Sequence, residues 1–155
     1  MKVYRIEREK YLHTTLKGIG ASGSGGFRWN SKNTYLVYTA ESRALATLEI
    51  SVHLDLSEDL PDDRYYVEIE IPDDVVIREL DSKDLPGNWD AKPPATATQH
   101  IGDHFVLAGE VAVLKVPSSI VPPESNFLIN PYHPDAQKIK VVSILKMSFD
   151  DRLKP

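Results

Sequence analysis

Apolar and polar residues alternate at short period where the chain begins. Across Lys2 to Glu7 the apolar positions are Val3 and, after a phase slip, Tyr4 and Ile6, which predicts a first strand. Thr34 to Thr39 (TYLVYT) is rich in β-branched and aromatic residues and predicts a second. The period then lengthens. Ala44, Leu45, Leu48 and Val52 fall at i, i+1, i+4 and i+8, one face of a 3.6-residue repeat, so this stretch predicts the clearest helix. Glu41 and Ser42 stand at its start, where an acid or a cap is favourable. An acidic turn, SEDLPDD, follows, and then strands are predicted at Tyr65 to Ile71 and Val75 to Leu80. A second helix is expected from about Ala95 to Ala108, ended by Gly109, with further strands at Val111 to Val116 and Lys138 to Met147.

Between these elements lie stretches that regular structure avoids. Gly18 to Gly26 holds five glycines and two serines, and Asp84 to Pro94 holds three prolines and Trp89, a looped crossover. Pro117 to Pro134, with five prolines, is expected to be mostly extended or turning. Strands outnumber helices without a βαβ alternation, so the fold class is α+β with a mainly antiparallel sheet system. No repeat or linker breaks the 155 residues, which predicts one domain over 1–155.

Composition narrows the function. Hydrophobic residues at 41% and charged residues at 26% are ordinary for a globular protein. Without cysteine there is no disulfide, zinc–thiolate site or thiol nucleophile. No apolar run approaches the roughly 20 residues that cross a bilayer, and charges interrupt the start too often for a signal peptide. A cytoplasmic location and no membrane association are therefore expected. The net charge of −5 and the lack of a basic cluster argue against direct nucleic-acid binding. A small-molecule substrate or a protein partner is the better expectation.

Several residues carry candidate chemistry. Gly18 to Gly23 spells GxGxxG, but KYLHTTLK before it and SGGFRWN after it are not the strand and helix a dinucleotide fingerprint needs. A flexible loop whose bare backbone lies against a ligand stays open. Arg28 is either a surface arginine beside Trp29, which anchors the loop, or a fixed guanidinium that holds a pyrophosphate. Glu49 lies in the apolar stretch LATLEISVHL. It is either an edge glutamate reaching solvent or a carboxylate held in a cleft to stabilise positive charge. His100 and His104 share i, i+4 spacing but lack HExxH-like company, so a polar helix face is the better reading and no metal is implied. Ser118 has no nucleophile elbow, and Asn126 and Asn130 most simply make turn hydrogen bonds.

In combination and in this order, GGFRWN (Gly25 to Asn30), YLVYTAESRALATLEISVHL (Tyr35 to Leu54), LPGNWD (Leu85 to Asp90), TQHIGDHF (Thr98 to Phe105), LKVPSSIVPPESNFLINPYHP (Leu114 to Pro134) and FDDRL (Phe149 to Leu153) resemble RES domains over roughly nine-tenths of the chain. The family is named for an arginine, a glutamate and a serine. By motif these are Arg28, Glu49 and Ser118, with Ser119 adjacent to the last, and Tyr38 is the usual fourth member. Phe27 is a departure, standing where the family commonly runs Gly-Gly-Arg-Trp.

The resemblance implies an ADP-ribosyltransferase-like α+β fold, with mainly antiparallel split sheets and a few helices around an NAD cleft. It implies a toxin of a toxin–antitoxin pair whose substrate is NAD, with no separate cofactor, and an Xre-type antitoxin partner that caps the cleft and supplies the DNA-binding face. Homo- or hetero-oligomeric assembly stays open. The expected reaction is hydrolysis of the nicotinamide–ribose bond (an NAD glycohydrolase). Transfer of ADP-ribose to a protein and a non-catalytic antitoxin- or nucleotide-binding module are the alternatives. In the expected site Glu49 stabilises the positively charged ribose, Arg28 pairs with phosphate and Tyr38 stacks on nicotinamide. Ser118 hydrogen-bonds nicotinamide or Glu49, and Trp29 and Asn126 help to line the NAD cleft.

Overall fold

A computed structural model describes residues 1–23, 25–57 and 60–155. Glu58 and Asp59 of the expected acidic turn, and Ser24 of the glycine-rich loop, lie outside the described residues. Strand β1 (Lys2–Arg8) explains its own phase slip, because both of its faces are covered. Val3 enters one core and Ile6 packs against the other side of the sheet. On the face of Val3, the Arg5 Nη2–H donates to Glu7 Oε2 at 2.8 Å and the Thr15 hydroxyl to the same oxygen at 3.0 Å, so two charges share a nearly buried site as a pair.

The remaining strands are β2 (Val37–Ala40), β3 (Arg64–Glu70), β4 (Ile77–Glu79), β5 (Val113–Pro117), β6 (Ser125–Ile129) and β7 (Lys140–Lys146). In β3 the strict alternation buries Val67 and Ile69. Among the described residues the strands form one sheet in the order β4-β5-β6-β2-β1-β3-β7, with β4–β5 the one parallel pair. Its middle is narrow. β1 and β2 meet through the single registered pair Tyr4↔Ala40, whereas β1–β3 and β2–β6 pair along their lengths. The expected split thus takes the form of two strand groups hinged at one pair in a continuous, mainly antiparallel sheet.

One expectation is sharpened and another corrected. The proline-rich stretch 117–134 contains β6, a strand at the centre of the β5–β6–β2 group, because its five apolar-rich residues Ser125–Ile129 hold no proline. Helix α1 (Arg43–Ser51) buries Leu45 and Ala46, while Leu48 and Val52 are 40% and 58% exposed. The buried face is therefore turned by one position from the one that the apolar periodicity outlined. Counting i, i+1, i+4 from Leu45 leads to Ala46 and then to Glu49.

Helix α2 (Thr96–Ala108) ends as expected at Gly109, whose left-handed φ of 60° lets its N–H reach the Phe105 carbonyl. Gly102, at its middle, lies so close to the next layer that a Cβ there would overlap the Trp29 carbonyl oxygen. The sheet is covered on both sides. One core gathers Val3, Val37, Val67, Ile69, Val113 and Ile129. On the opposite face Leu114, Val116 and Leu128 meet Trp29, Leu36 and Phe105, and beside them Ala40 meets Leu45 and Ala46 of α1. Among the described residues no helix is long and apolar enough to cross a membrane.

Candidate functional site

Register places the candidate residues on one face of the sheet. Tyr38 stands opposite Leu128, Ala40 opposite Asn126, and Val116 opposite Asn126 from the other side. Over this face lies α1, capped by the Ser42 hydroxyl, which accepts the Leu45 N–H at 3.1 Å. The turned helical face delivers Glu49 to the sheet. Asn126 Nδ2 donates to its Oε1 at 2.7 Å, and the Ser118 hydroxyl donates to its Oε2 at 3.0 Å. Each carboxylate oxygen is thus held by its own donor. Burial pushes the Glu49 carboxyl above the usual range; the Asn126 and Ser118 donors pull it back, and Glu124 nearby pushes it up again.

Ser118 is fully buried and has no proton to spare for substrate. While its hydroxyl serves Glu49, its oxygen accepts the Ile120 and Val121 N–H groups, each at 3.2 Å, and its own N–H donates to the Glu124 carbonyl at 2.9 Å. Asn126 also donates to the Thr39 carbonyl at 3.2 Å, so it ties β2 to the carboxylate. It is not the turn-forming asparagine of the simplest sequence reading. Asn130 comes nearer to that role, accepting the Tyr132 N–H at 3.0 Å.

A second group surrounds Tyr38. Its hydroxyl donates to Asn30 Oδ1 at 2.6 Å and accepts the Trp29 N–H at 3.0 Å, so both of its polar functions are used. Burial raises the Tyr38 phenol well above its ordinary value, which keeps it neutral. What Tyr38 offers a ligand is its ring. The Phe27 ring meets it edge-on, with centroids 5.6 Å apart at 82°, and Phe27 is 46% exposed. The residue that departs from the family pattern therefore extends an aromatic wall.

Arg28 is half-buried, and desolvation lowers its pKa. Its Nη1 donates to the Trp89 and Ala91 carbonyls at 2.8 and 2.9 Å. Among the described residues Nη2 and Nε make no hydrogen bond, so the guanidinium is anchored on one side and available on the other. Trp29, counted among the cleft-lining residues, has its side chain 2% exposed in the core under the loop. It anchors the segment. His100 and His104 lie exposed on α2.

Asn30 escaped the sequence reading. It is fully buried and its Nδ2 donates to the Ala21 carbonyl at 2.7 Å and the Ser31 carbonyl at 3.0 Å, while its Oδ1 holds Tyr38. Asp103 of α2 adds a second anchor, accepting the Ser31 N–H at 2.9 Å and its hydroxyl at 2.5 Å. Arg5 contributes from below the sheet, where its Nη1 donates to the Tyr38 carbonyl at 3.1 Å. The one available signal was an asparagine directly after the Arg-Trp pair, and asparagine there reads as an ordinary turn residue.

A family model described as "RES domain" matches residues 2–150. A Prs ADP-ribosylating toxin from Sphingobium sp. is 46% identical over 145 residues, which span 92% of this chain and 89% of that protein. A protein named Toxin Res from Yersinia enterocolitica is 39% identical over 155 residues, 99% of this chain and 100% of that one. Among solved structures, the crystal structure of the M. tuberculosis MbcT–MbcA toxin–antitoxin complex contains a chain that superposes with a TM-score of 0.74. That match covers 95% of this chain and 84% of the other at 14% identity, a likeness of fold.

Proposed function

This chain belongs to the RES domain family and is a RES-domain toxin, and from that premise we propose that it cleaves the nicotinamide–ribose bond of NAD. The observation that carries the reading is Glu49, a carboxylate on the buried face of a helix with each oxygen held by its own donor. Desolvating a carboxylate is expensive, and neutral side chains would fill the same space at lower cost. A fixed negative charge is useful where positive charge develops. In NAD cleavage the C1′–N bond breaks with both electrons going to the pyridinium nitrogen. Nicotinamide leaves neutral, and the ribose becomes oxocarbenium-like. Glu49 opposes that charge more strongly in the transition state than in the ground state.

NAD enters as the substrate, and a leaving group that departs neutral needs no metal or separate cofactor. The free edge of Arg28 takes the pyrophosphate, and the aromatic wall of Tyr38 and Phe27 receives the nicotinamide ring. Ser118 and Asn126 work through Glu49. An acceptor O–H then attacks C1′ and gives up its proton, for which a carboxylate of raised pKa is a competent base. Water as acceptor makes the chain a glycohydrolase; a protein side chain makes it an ADP-ribosyltransferase. The name of the relative that is 46% identical favours the protein acceptor. An antitoxin of the Xre type that covers the site and a cytoplasmic location complete the proposal. The toxin–antitoxin complex of similar fold supports the partner.

The purified chain is incubated with NAD labelled in its adenylate, alone and with cell extract. Nicotinamide release with label on protein means transfer, and free labelled ADP-ribose means hydrolysis. Glu49→Gln is expected to cut release by orders of magnitude. A wild-type chain that releases no nicotinamide under either condition, or a variant with normal release, overturns the reading.

A further inference from the structure

The β5–β6 hairpin that clamps Glu49 carries a second carboxylate, which the cleavage step leaves unused. Glu124 ends the loop between the two strands, two residues before Asn126. Its carbonyl accepts the Ser118 N–H at 2.9 Å, so it sits across the hairpin from Ser118. Glu124 is therefore next to both residues that donate to Glu49. The loop holds it in place. Pro122 and Pro123 fix two backbone φ angles just before it, and its N–H donates to the Val121 carbonyl at 2.8 Å, closing a tight turn. Alternation about Ser125 returns Glu124 to the side of Asn126. The charge of Glu124 is felt at the Glu49 carboxyl, which it pushes up.

The acids around the clamp differ in what they are free to do. Glu49 has both oxygens bound, by Asn126 and Ser118. Glu41 Oε1 accepts the Ser125 N–H at 2.6 Å. Glu124 is half-buried, and among the described residues its carboxylate makes no hydrogen bond or ion pair while its oxygens stay open to solvent. Two like charges side by side oppose each other, and no cation among the described residues pairs with either. We propose that Glu124 is the base for the acceptor, an inference that rests on the NAD-cleavage reading and divides its chemistry between two carboxylates. Glu49, pinned at both oxygens, opposes the positive charge on the ribose. Glu124, with its oxygens free, receives the incoming O–H of water or of a protein side chain. As the acceptor oxygen bonds to C1′, the electron pair of the C1′–N bond leaves with nicotinamide. The O–H proton passes to Glu124, which then releases it to solvent. Glycosidases that invert their sugar use a second carboxylate for the attacking water in the same way.

Nicotinamide release and the adenylate-labelled product are followed for wild type, Glu124→Gln and Glu49→Gln, each with and without azide. Azide is an anionic nucleophile with no proton to give up, so it replaces the acceptor and needs no base. Glu124→Gln keeps the size of the side chain and is expected to lose at least about tenfold of the release seen without azide. Azide should restore most of that loss, with ADP-ribosyl azide as the product, which a variant that had merely lost its fold would not do. Glu49→Gln lacks the charge that opposes the ribose cation and should stay inactive with azide. Release by Glu124→Gln at the wild-type rate overturns the assignment, and so does a loss that azide does not repair. Rescue of Glu49→Gln makes Glu49 the base and overturns it as well. In those three cases wild type still releases nicotinamide, so the cleavage reading stands without this inference. A wild type that releases none, with or without azide, overturns both.

Discussion

Asn126 offers the sharpest test of how the carboxylate is held. Its amide divides two protons between Glu49 Oε1 at 2.7 Å and the Thr39 carbonyl at 3.2 Å, and the residue is 9% exposed, so water does not readily replace it. Asn126→Ala removes a hydrogen bond to a charged group, worth about 1.5–3 kcal/mol. If that energy holds Glu49 in its reactive position, kcat/KM for nicotinamide release falls roughly 10- to 100-fold, at ~1.4 kcal/mol per decade. A second effect separates positioning from scaffolding. Burial already raises the Glu49 carboxyl and Asn126 opposes it, so losing the donor raises it further. The acid limb of the pH–rate profile must then move to higher pH. Asn126→Asp places a second carboxylate against the first and should be worse than alanine at neutral pH. The assay is kcat/KM against pH for wild type and both variants, with thermal melts to exclude unfolding. A reduced rate with an unmoved acid limb refutes the positioning argument, and an unchanged rate refutes any role for Asn126.

Three other outcomes follow from the same contacts. Glu49 has a folded-state pKa above its ordinary 4.5, so the strain of keeping it ionised is absent below that value and grows as pH rises through the raised one. The melting temperature of wild type should therefore fall relative to Glu49→Gln across that window, and a constant difference would contradict it. Arg28→Lys keeps the charge but cannot bridge two carbonyls and still present a planar fork, so KM for NAD should rise about tenfold, close to the effect of Arg28→Ala; full rescue by lysine would remove the bidentate role. Gly102→Ala drives a methyl into the Trp29 carbonyl and should destabilise by on the order of 3 kcal/mol or more, read in denaturant melts, with loss of NAD binding as the loop shifts. A normal melt would show that the helix–loop contact yields easily.

The elements with strong local signals were legible. α2 ends at its glycine, β3 follows its alternation, and Ser42 caps α1 where a cap was expected. The central strand β6 was hidden because prolines at both sides dominate the reading of 117–134, and its apolar run, Phe127 to Ile129, is too short to show a period of its own. The buried face of α1 was misjudged by one position for a related reason. Leu48 and Val52 are apolar but exposed, and periodicity registers side-chain type without knowing which side the sheet is on.

Arg28, Glu49, Ser118 and Tyr38 can be picked out of the sequence by residue type, order and motif, because a carboxylate in an apolar helix and an arginine after a glycine loop conflict with their surroundings. Their partnerships belong to the tertiary structure alone. Glu49 meets Ser118 and Asn126 across 69 and 77 residues, and Arg28 meets the crossover across 61 and 63. No local period encodes such separations. They arise from strand register, which sets Ala40, Asn126 and Val116 side by side, and from the close approach of α2 to Trp29 that only Gly102 permits. Residue identity supplies the chemistry; pairing and packing decide which atoms it acts through.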